Sequence, residues 1–201
     1  MIEIKVKKTL GEFHLDAELH AEGFICLSGR NGAGKSTLLN IVSGILMQDE
    51  GFLKLGSEDI SRMPMEKRGV VLVTPQSYLP HMQVEKHLLW GASIRGYKPN
   101  QDYVKKIKDA LGISYSGKVQ KLSLGMRERV SLATALLSRP SLILIDETFS
   151  NIDNRTQFIS SFRNLCSESK IDVIFTTQFP EDSKLADHTY MIERGRTSKI
   201  S

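Results

Sequence analysis

Hydrophobic and polar residues alternate with a period of two near the start of the chain, over residues 2–6 and again over 13–19. This alternation predicts two half-buried antiparallel strands, with Gly11 near the turn between them. Continuous apolar runs without alternation are typical of strands that are buried on both faces of a parallel sheet. The chain has four such runs, at 24–27, Val70–Val73, Leu142–Ile145 and 173–175.

Apolar residues recur at helical spacing in five further segments, at 35–47, Val84–Ile94, 102–111, Leu124–Leu137 and 158–165. Strands alternate with helices at both ends of the chain, whereas the middle is helical only. This pattern predicts an α/β fold with a mainly parallel sheet, an N-terminal antiparallel β subdomain and an inserted α-helical subdomain. We expect one domain over 1–201, with a core from 1–76 and 139–201 and a helical subdomain at 77–138. The run from Tyr190 to Ile192 is expected to be an edge strand.

The composition is that of an ordinary globular protein, with 40% hydrophobic and 25% charged residues among 201. It excludes disordered and fibrous classes. No apolar run approaches the roughly 20 residues that a membrane-spanning helix needs, and the charged start of the chain does not resemble a signal peptide. We therefore expect a cytoplasmic protein. Cys26 and Cys166 lack CxxC spacing, which favours small core residues in a reducing compartment over a redox pair or zinc site.

The positive charge is concentrated in the helical middle of the chain. Residues 77–130 contain ten lysines and arginines against four acidic residues, while the whole chain has a net charge of only +4. Two interpretations stay open: a solvated helical face, or a surface that meets an acidic partner or anionic lipid headgroups.

A glycine-rich segment directly follows the apolar run at 24–27 and precedes a helical pattern. It matches GxxxxGK[ST] at every fixed position, which predicts a phosphate-binding loop and a P-loop NTPase core. Such a loop points backbone N–H groups at a phosphate, and the following helix N-terminus adds partial positive charge. We expect Lys35 to reach the β- and γ-phosphates and Ser36 to ligate Mg²⁺. The nucleotide-binding residues are Gly29, Arg30, Asn31, Gly32, Ala33, Gly34, Lys35, Ser36 and Thr37.

Two acidic residues follow the apolar run Leu142–Ile145. Carboxyl ends of parallel strands meet at one edge of a sheet, so Asp146 and Glu147 are expected near the phosphate-binding loop. Asp146 would hold Mg²⁺ through water, and Glu147 would orient and deprotonate an attacking water.

Three motifs between and after these segments narrow the class. Gln76 closes the strand Val70–Val73, the sequence Leu-Ser-Leu-Gly-Met occupies 122–126, and Ser-Asn-Ile-Asp occupies 150–153. Together they resemble the Q-loop, signature and D-loop of the ATP-binding-cassette (ABC) ATPases, over essentially the whole chain. The segment from Tyr78 to Met82 is similar to that of importer ATPases, with molybdate/tungstate-type subunits as the nearest likeness.

The resemblance implies an ATPase that powers a membrane transporter. It implies a homo- or heterodimer with a second ABC subunit, in which each ATP lies between the phosphate-binding loop of one subunit and Ser123 and Gly125 of the other. Gln76 would ligate Mg²⁺ or the attacking water, and Asp153 would bridge the two sites. An integral-membrane permease would contact the chain near the segment from Tyr78 to Met82, at the cytoplasmic face of the membrane. The alternative for residues 78–82 is an aromatic-apolar turn that only packs within the helical subdomain. Nucleic acid is not expected as a partner.

Several positions depart from the family pattern. Gln178 stands where a histidine is usual, and its amide can bond a γ-phosphate but cannot take a proton. Leu124 and Met126 replace a signature glycine and glutamine, and Thr148 replaces a proline. Loss of a transition-state hydrogen-bond donor costs roughly 100-fold in rate, so we expect strong ATP binding with slow hydrolysis, or one weak site in a heterodimer.

Two alternatives to a transport motor stay open, and the departures at Gln178 and Leu124 favour the first of them. One is a slowly hydrolysing, nucleotide-gated subunit with a regulatory or assembly role, and the other is a soluble ABC ATPase outside transport. The residue that stacks on adenine also stays open, between Phe13 and Leu10.

Overall fold

The computed structural model describes residues 1–201 and contains ten strands, five α-helices and three short 3₁₀ turns. The strands are β1 (Ile2–Leu10), β2 (Phe13–Ala21), β3 (Phe24–Ser28), β4 (Glu50–Leu55), β5 (Glu58–Asp59), β6 (Val70–Val73), β7 (Leu142–Ile145), β8 (Asp172–Thr176), β9 (His188–Glu193) and β10 (Arg196–Lys199). The α-helices are α1 (Lys35–Ser43), α2 (Val84–Ile94), α3 (Gln101–Ala110), α4 (Leu124–Leu137) and α5 (Arg155–Glu168). The 3₁₀ turns are Met65–Lys67, Val119–Lys121 and Pro180–Leu185.

The strands form one mixed sheet in the order β5-β4-β1-β2-β10-β9-β3-β8-β7-β6. The pairs β9–β3, β3–β8 and β8–β7 are parallel, and β2, β1, β4 and β5 pair antiparallel in succession. The predicted α/β class, with an N-terminal antiparallel part beside a parallel core, is confirmed. The β1–β2 hairpin closes with Leu10 opposite Phe13, so its turn includes Gly11, as the alternation indicates.

Two predicted elements differ in the structure. The edge strand expected from Tyr190 to Ile192 is wrong, because β9 lies inside the sheet between β10 and β3. The polar sequence of β10 hides this extra strand, which pairs antiparallel with β9. The helix expected over 35–47 ends at Ser43, because Gly44 adopts a left-handed conformation (φ +91°) and caps the carbonyls of Asn40 and Ile41.

Contacts divide the chain into two compact units. Unit 1 comprises Met1–Leu72, Ser141–Asp146 and Asp172–Ser201. Its core packs the inward side chains of the hairpin, such as Ile4 and Leu19, with the apolar face of α1, including Leu38 and Ile41, and with strand residues such as Leu144. Burial on this scale is the dominant stabilising term in folding.

Unit 2 comprises Val73–Pro140 and Glu147–Ile171. It therefore contains the helical segment expected at 77–138 and also α5, which the sequence analysis assigned to the core. Within the unit, Phe149, Phe158 and Phe162 form a buried aromatic cluster with ring centroids 6.1 to 6.3 Å apart. Lys106 of α3 pairs with Glu168 of α5. None of the helices is both long enough and apolar enough to cross a bilayer.

Candidate functional site

The phosphate-binding loop connects β3 to α1 in unit 1. Two of its glycines, Gly29 and Gly34, are closely packed: a Cβ at Gly34, whose φ is +111°, would lie 2.8 Å from Cζ of Phe13. A Cβ at Gly29 would collide with the backbone oxygen of Ile192. Any side chain at these positions would force the loop out of its path. Phe13, one of the two candidates for stacking on adenine, thus packs against Gly34, the last glycine of the loop. Leu10, the other candidate, is 42% exposed.

Helix α1 begins without a side-chain cap and without an acidic residue in its first turn. Helix N-termini in proteins are usually satisfied by a capping side chain, by water or by a ligand. Lys35, at the first position of the helix, is only 5% exposed. Its Nζ folds back over the loop and donates to the carbonyls of Gly29 (2.8 Å) and Arg30 (3.2 Å). The loop and the ammonium group together therefore form a compact, positively polarised cradle.

Asp146 follows β7 at the carboxyl edge of the parallel strands, and β8 is its neighbour in the sheet. Thr176, the last residue of β8, donates its hydroxyl to Oδ1 of Asp146 at 2.9 Å. The carboxylate is half-buried, so this bond fixes its orientation. Gln178 lies two residues beyond β8 and is exposed. The sequence predicts Asp146 at this edge, and the structure has it there.

A cavity of about 960 Å³ lies beside the phosphate-binding loop within unit 1. Its lining combines loop residues 30–33 with residues 192–194 and 196–198, at the turn between β9 and β10. The volume is in the upper range of small-molecule sites. Three arginines contribute to the lining, Arg30, Arg194 and Arg196. Arg194 and Arg196 could not be identified from the sequence, because no motif marks the turn that brings them to the loop.

Gln76 and Glu147 belong to unit 2. Gln76 is exposed in the turn after β6, where its carbonyl accepts a hydrogen bond from the backbone N–H of Tyr78 at 2.8 Å. Glu147 has a left-handed backbone (φ +54°), which is uncommon for a residue with a side chain and typical of functional sites. The next residue, Thr148, is fully buried, and its hydroxyl donates to the carbonyl of Val73 at 3.2 Å. Thr148, which stands where the family pattern has a proline, is therefore held by a hydrogen bond to the last residue of β6.

The signature segment forms the N-terminus of α4. Ser123 is the N-cap, and its Oγ accepts a hydrogen bond from the N–H of Met126 at 3.3 Å. Leu124 occupies the first helical position and is 44% exposed. Gly125 lies against the backbone of Asn151, with which a Cβ would collide. The carbonyl of Asp153 accepts a hydrogen bond from Arg129 of the same helix at 2.6 Å. Ser123, Gly125 and Asp153 are therefore gathered at one end of α4.

The segment from Tyr78 to Met82 is held by a buried histidine. The N–H of Leu79 donates to Nε2 of His87 at 3.1 Å, and Nδ1 of His87 lies 2.9 Å from the hydroxyl of Thr134. Because Nε2 accepts, the neutral ring carries its proton on Nδ1. Burial lowers the pKa of His87, which favours this neutral form. Arg127 donates to the hydroxyl of Tyr78 at 3.1 Å, so the segment is anchored at two adjacent residues.

Comparison with known sequences gives the family. The family model described as ABC transporter matches residues 13–150. The chain is 32% identical to the molybdate/tungstate import ATP-binding protein WtpC of Archaeoglobus fulgidus, over 97% of this chain and 84% of that protein. It is 33% identical to the molybdenum import ATP-binding protein ModC of Vibrio parahaemolyticus, over 98% of this chain but only 56% of that protein. The chain thus spans most of the first relative and about half of the second.

Solved structures give the fold. An ATP-binding subunit of an ABC transporter matches with a TM-score of 0.83 and 20% identity, over 100% of this chain and 89% of that one. A dimeric ABC transporter cassette matches with a TM-score of 0.81 and 21% identity, over 100% and 99%. The predicted resemblance to the ABC ATPases is therefore confirmed by both sequence and fold. The chain belongs to the ATP-binding subunits of the ABC transporter family.

Proposed function

We propose that the chain binds ATP with Mg²⁺, closes on it as a dimer, and hydrolyses it to drive transport through a separate membrane permease. The observation that carries the proposal is the start of α1. An uncapped helix N-terminus follows a glycine loop that is closed by a buried lysine, and this combination suits a polyphosphate. The adjacent cavity of about 960 Å³ leaves room for the remainder of a nucleotide.

The residues expected to hold Mg²⁺ fit a hard cation. Ser36 presents an exposed hydroxyl and Asp146 a half-buried carboxylate that is oriented by Thr176. Gln76 supplies an exposed amide oxygen. Oxygen ligands of this kind, few in number and shared with phosphate, are typical of Mg²⁺ sites in nucleotide-binding proteins. When bound, the ion would neutralise charge on the β- and γ-phosphates.

The hydrolytic roles follow from the acids and amides near these residues in the chain. Glu147 is proposed as the base that orients and deprotonates water, and its strained backbone is in keeping with a functional position. Gln178 is proposed to donate its amide to the γ-phosphate, in the place where the family uses histidine. An amide cannot become cationic, so we propose that turnover is slow.

The dimer proposal depends on the N-terminus of α4. Ser123 and the backbone N–H of Gly125 are proposed to face the γ-phosphate held by the partner copy, and Asp153 to link the two sites. Charge-assisted hydrogen bonds from a helix N-terminus to phosphate are stronger than neutral ones. ATP would then bring the copies together, and hydrolysis would release them.

The permease is proposed to contact the segment from Tyr78 to Met82, which is anchored by His87 and Arg127. This would place the subunit at the cytoplasmic face of the membrane. The relatives named above are import proteins for molybdate, tungstate or molybdenum, and we propose a small oxyanion of this kind as the transported solute.

Steady-state release of phosphate from the purified chain tests the enzymatic proposal. We expect slow, Mg²⁺-dependent turnover that rises about 10-fold or more in Gln178→His, because histidine adds a group able to carry positive charge near the γ-phosphate. Glu147→Gln is the matched control and should remain inactive with and without the histidine. Fast wild-type turnover that histidine does not increase would contradict the role given to Gln178.

A further inference from the structure

The segment 150–153 has no regular secondary structure, yet it is fixed to the first turns of α4 by three kinds of contact. It contains Asp153, the residue proposed to link the two ATP sites. The contacts come from Gly125, Glu128 and Arg129 of α4, all within unit 2. We call this arrangement the α4 clamp.

The first contact is a backbone approach. A Cβ at Gly125 would collide with the backbone oxygen of Asn151 and would lie 3.5 Å from Cα of Ile152. Any side chain at position 125 would therefore push the segment away from the helix. The glycine has an intramolecular reason here, in addition to the access for phosphate that the family resemblance implies.

The second contact is a buried polar pair. The side-chain amide of Asn151 donates to Oε1 of Glu128 at 2.8 Å. Glu128 is only 1% exposed, and its other oxygen, Oε2, has no hydrogen-bond partner. A carboxyl group with one oxygen unsatisfied is costly to bury. A position that served only to fill space would favour an apolar residue, so the bond to Asn151 offsets a real cost.

The third contact is a bridging arginine. Arg129 donates from Nη2 to the carbonyl of Asp153 at 2.6 Å and from Nη1 to the carbonyl of Leu111 at 2.8 Å. Its guanidinium lies 4.7 Å from the ring centroid of Phe158 in α5. The arginine is thus fixed on three sides, and it holds the backbone of Asp153 in a single place relative to α4.

We propose that Glu128 is a positioning residue: through Asn151 it holds 150–153 on α4, so that Ser123, Gly125 and Asp153 meet the partner copy as one rigid piece. This inference rests on the proposed ATP-dependent dimer. Ordering a loop in its bound form before association lowers the entropic cost of binding. The clamp therefore acts on dimer formation and leaves the first encounter of one chain with ATP unchanged, because none of its residues belongs to the loop 29–37.

A role in stability alone makes a different prediction from a positioning role. If the pair only stabilises unit 2, Asn151→Ala lowers the melting temperature, and the folded protein still dimerises with normal affinity. If the pair positions the segment, dimerisation weakens in protein that is fully folded and binds ATP normally.

The experiment measures ATP-induced association by sedimentation in a Glu147→Gln background, where hydrolysis is blocked. Asn151→Ala removes the side-chain donor but keeps the backbone N–H of Asn151, which also hydrogen-bonds to Glu128. Glu128→Gln keeps an oxygen that can accept from Asn151. Asn164→Ala is the matched control, because it makes the same change at an exposed position of α5 in the same unit. For every variant, the affinity for ATP is measured at protein concentrations too low for association, and the melting curve is recorded.

We expect Asn151→Ala to weaken ATP-induced association about 10-fold, with unchanged affinity of the single chain for ATP. Glu128→Gln should retain most of the association, and Asn164→Ala all of it. Normal association of folded Asn151→Ala would overturn the clamp while leaving the proposed function intact. Failure of the Glu147→Gln parent to associate with ATP would instead overturn the proposed dimer itself.

Discussion

Two helix N-termini of this chain are proposed to bind ATP, and they are built differently. Helix α1 is proposed to hold the nucleotide of its own copy, whereas α4 is proposed to face the γ-phosphate held by the partner copy. Helix α1 has no side-chain cap, and Lys35 closes the glycine loop before it. Helix α4 is capped by its own Ser123, and it presents Leu124 to solvent with 44% of its surface exposed. The first is shaped for an anion by residues of its own unit. The second already satisfies part of its hydrogen-bonding capacity.

This difference indicates that the two helix N-termini contribute to different steps, nucleotide binding and association of the copies. The α1 end supplies a preformed anion site, so it should account for most of the affinity of a single chain for ATP. The α4 end adds binding energy only when a partner copy brings phosphate to it. Sequence changes at the α4 end should therefore alter association more than nucleotide affinity.

The largest expected effect is at the α1 end. Lys35→Ala should weaken ATP binding by the isolated chain at least about 100-fold, because it removes a charge-assisted bond to phosphate and the closure of the loop. Equilibrium binding of a fluorescent ATP analogue measures this. Lys67→Ala, at an exposed lysine of the same unit, is the matched control and should bind normally. Unchanged affinity in Lys35→Ala would remove the basis for treating α1 as the primary site.

The second expected effect is a pH dependence of the free energy of unfolding that is caused by Glu128 of α4. Burial is the main cause that raises the pKa of Glu128 to about 7 from 4.5. The neighbouring arginines of the helix, Arg127 and Arg129, donate to other groups. Because the folded state keeps the proton longer than the unfolded state, Glu128 favours folding at low pH, and this contribution is lost as pH rises from about 4.5 through 7.

The matched comparison is wild type against Glu128→Gln, which cannot titrate. Between pH 5 and pH 8 the free energy of unfolding of wild type should fall relative to that of the variant, by on the order of 2 kcal/mol. Urea unfolding at both pH values gives this difference. Parallel pH dependence of the two proteins would mean that burial does not raise the pKa of Glu128 above its value in the unfolded chain.

The smallest expected effect concerns the exposed leucine of α4. Leu124→Gly should strengthen ATP-induced association by several-fold, because it removes bulk from the surface that faces phosphate, partly offset by the roughly 0.5–1 kcal/mol that glycine costs in a helix. Leu124→Ala removes most of the side-chain bulk without the backbone freedom that glycine adds, so it separates the two effects. If bulk is the obstacle, both variants associate more tightly than wild type in sedimentation measurements. Weaker association of both would show that Leu124 contributes a favourable contact.

Local pattern was sufficient to predict many of the elements. The bounds of α2 and α4 match the predicted ranges Val84–Ile94 and Leu124–Leu137. The start of α4 carries a local signal, because Ser123 precedes it and caps the N–H of Met126. Strand β10 was missed because its sequence, Arg-Thr-Ser-Lys, has no apolar alternation and is placed by pairing with β9. Tertiary pairing of this kind overrides local propensity.

The candidate site also contains residues that a local motif predicts and residues that only the tertiary structure brings together. The loop 29–37 and the acids at 146–147 could be found because their chemistry requires fixed residue types at fixed spacing. Arg194 and Arg196 could not, since their place beside the loop depends on the position of β9 in the sheet. Nor could the bond between Glu128 and Asn151, which joins residues 23 apart that no motif relates.

The most direct test of the central claim is a disulfide between copies. Two single variants, Asn31→Cys in the phosphate-binding loop and Ser123→Cys at the cap of α4, are mixed in a Glu147→Gln background and oxidised. The native Cys26 and Cys166 are 0% and 1% exposed, so they contribute little background. We expect a cross-linked heterodimer of the two variants that forms with ATP and Mg²⁺ and is absent with ADP. Cross-linking that is absent with ATP, or equal with ADP, would contradict a triphosphate held between the loop of one copy and the signature of the other.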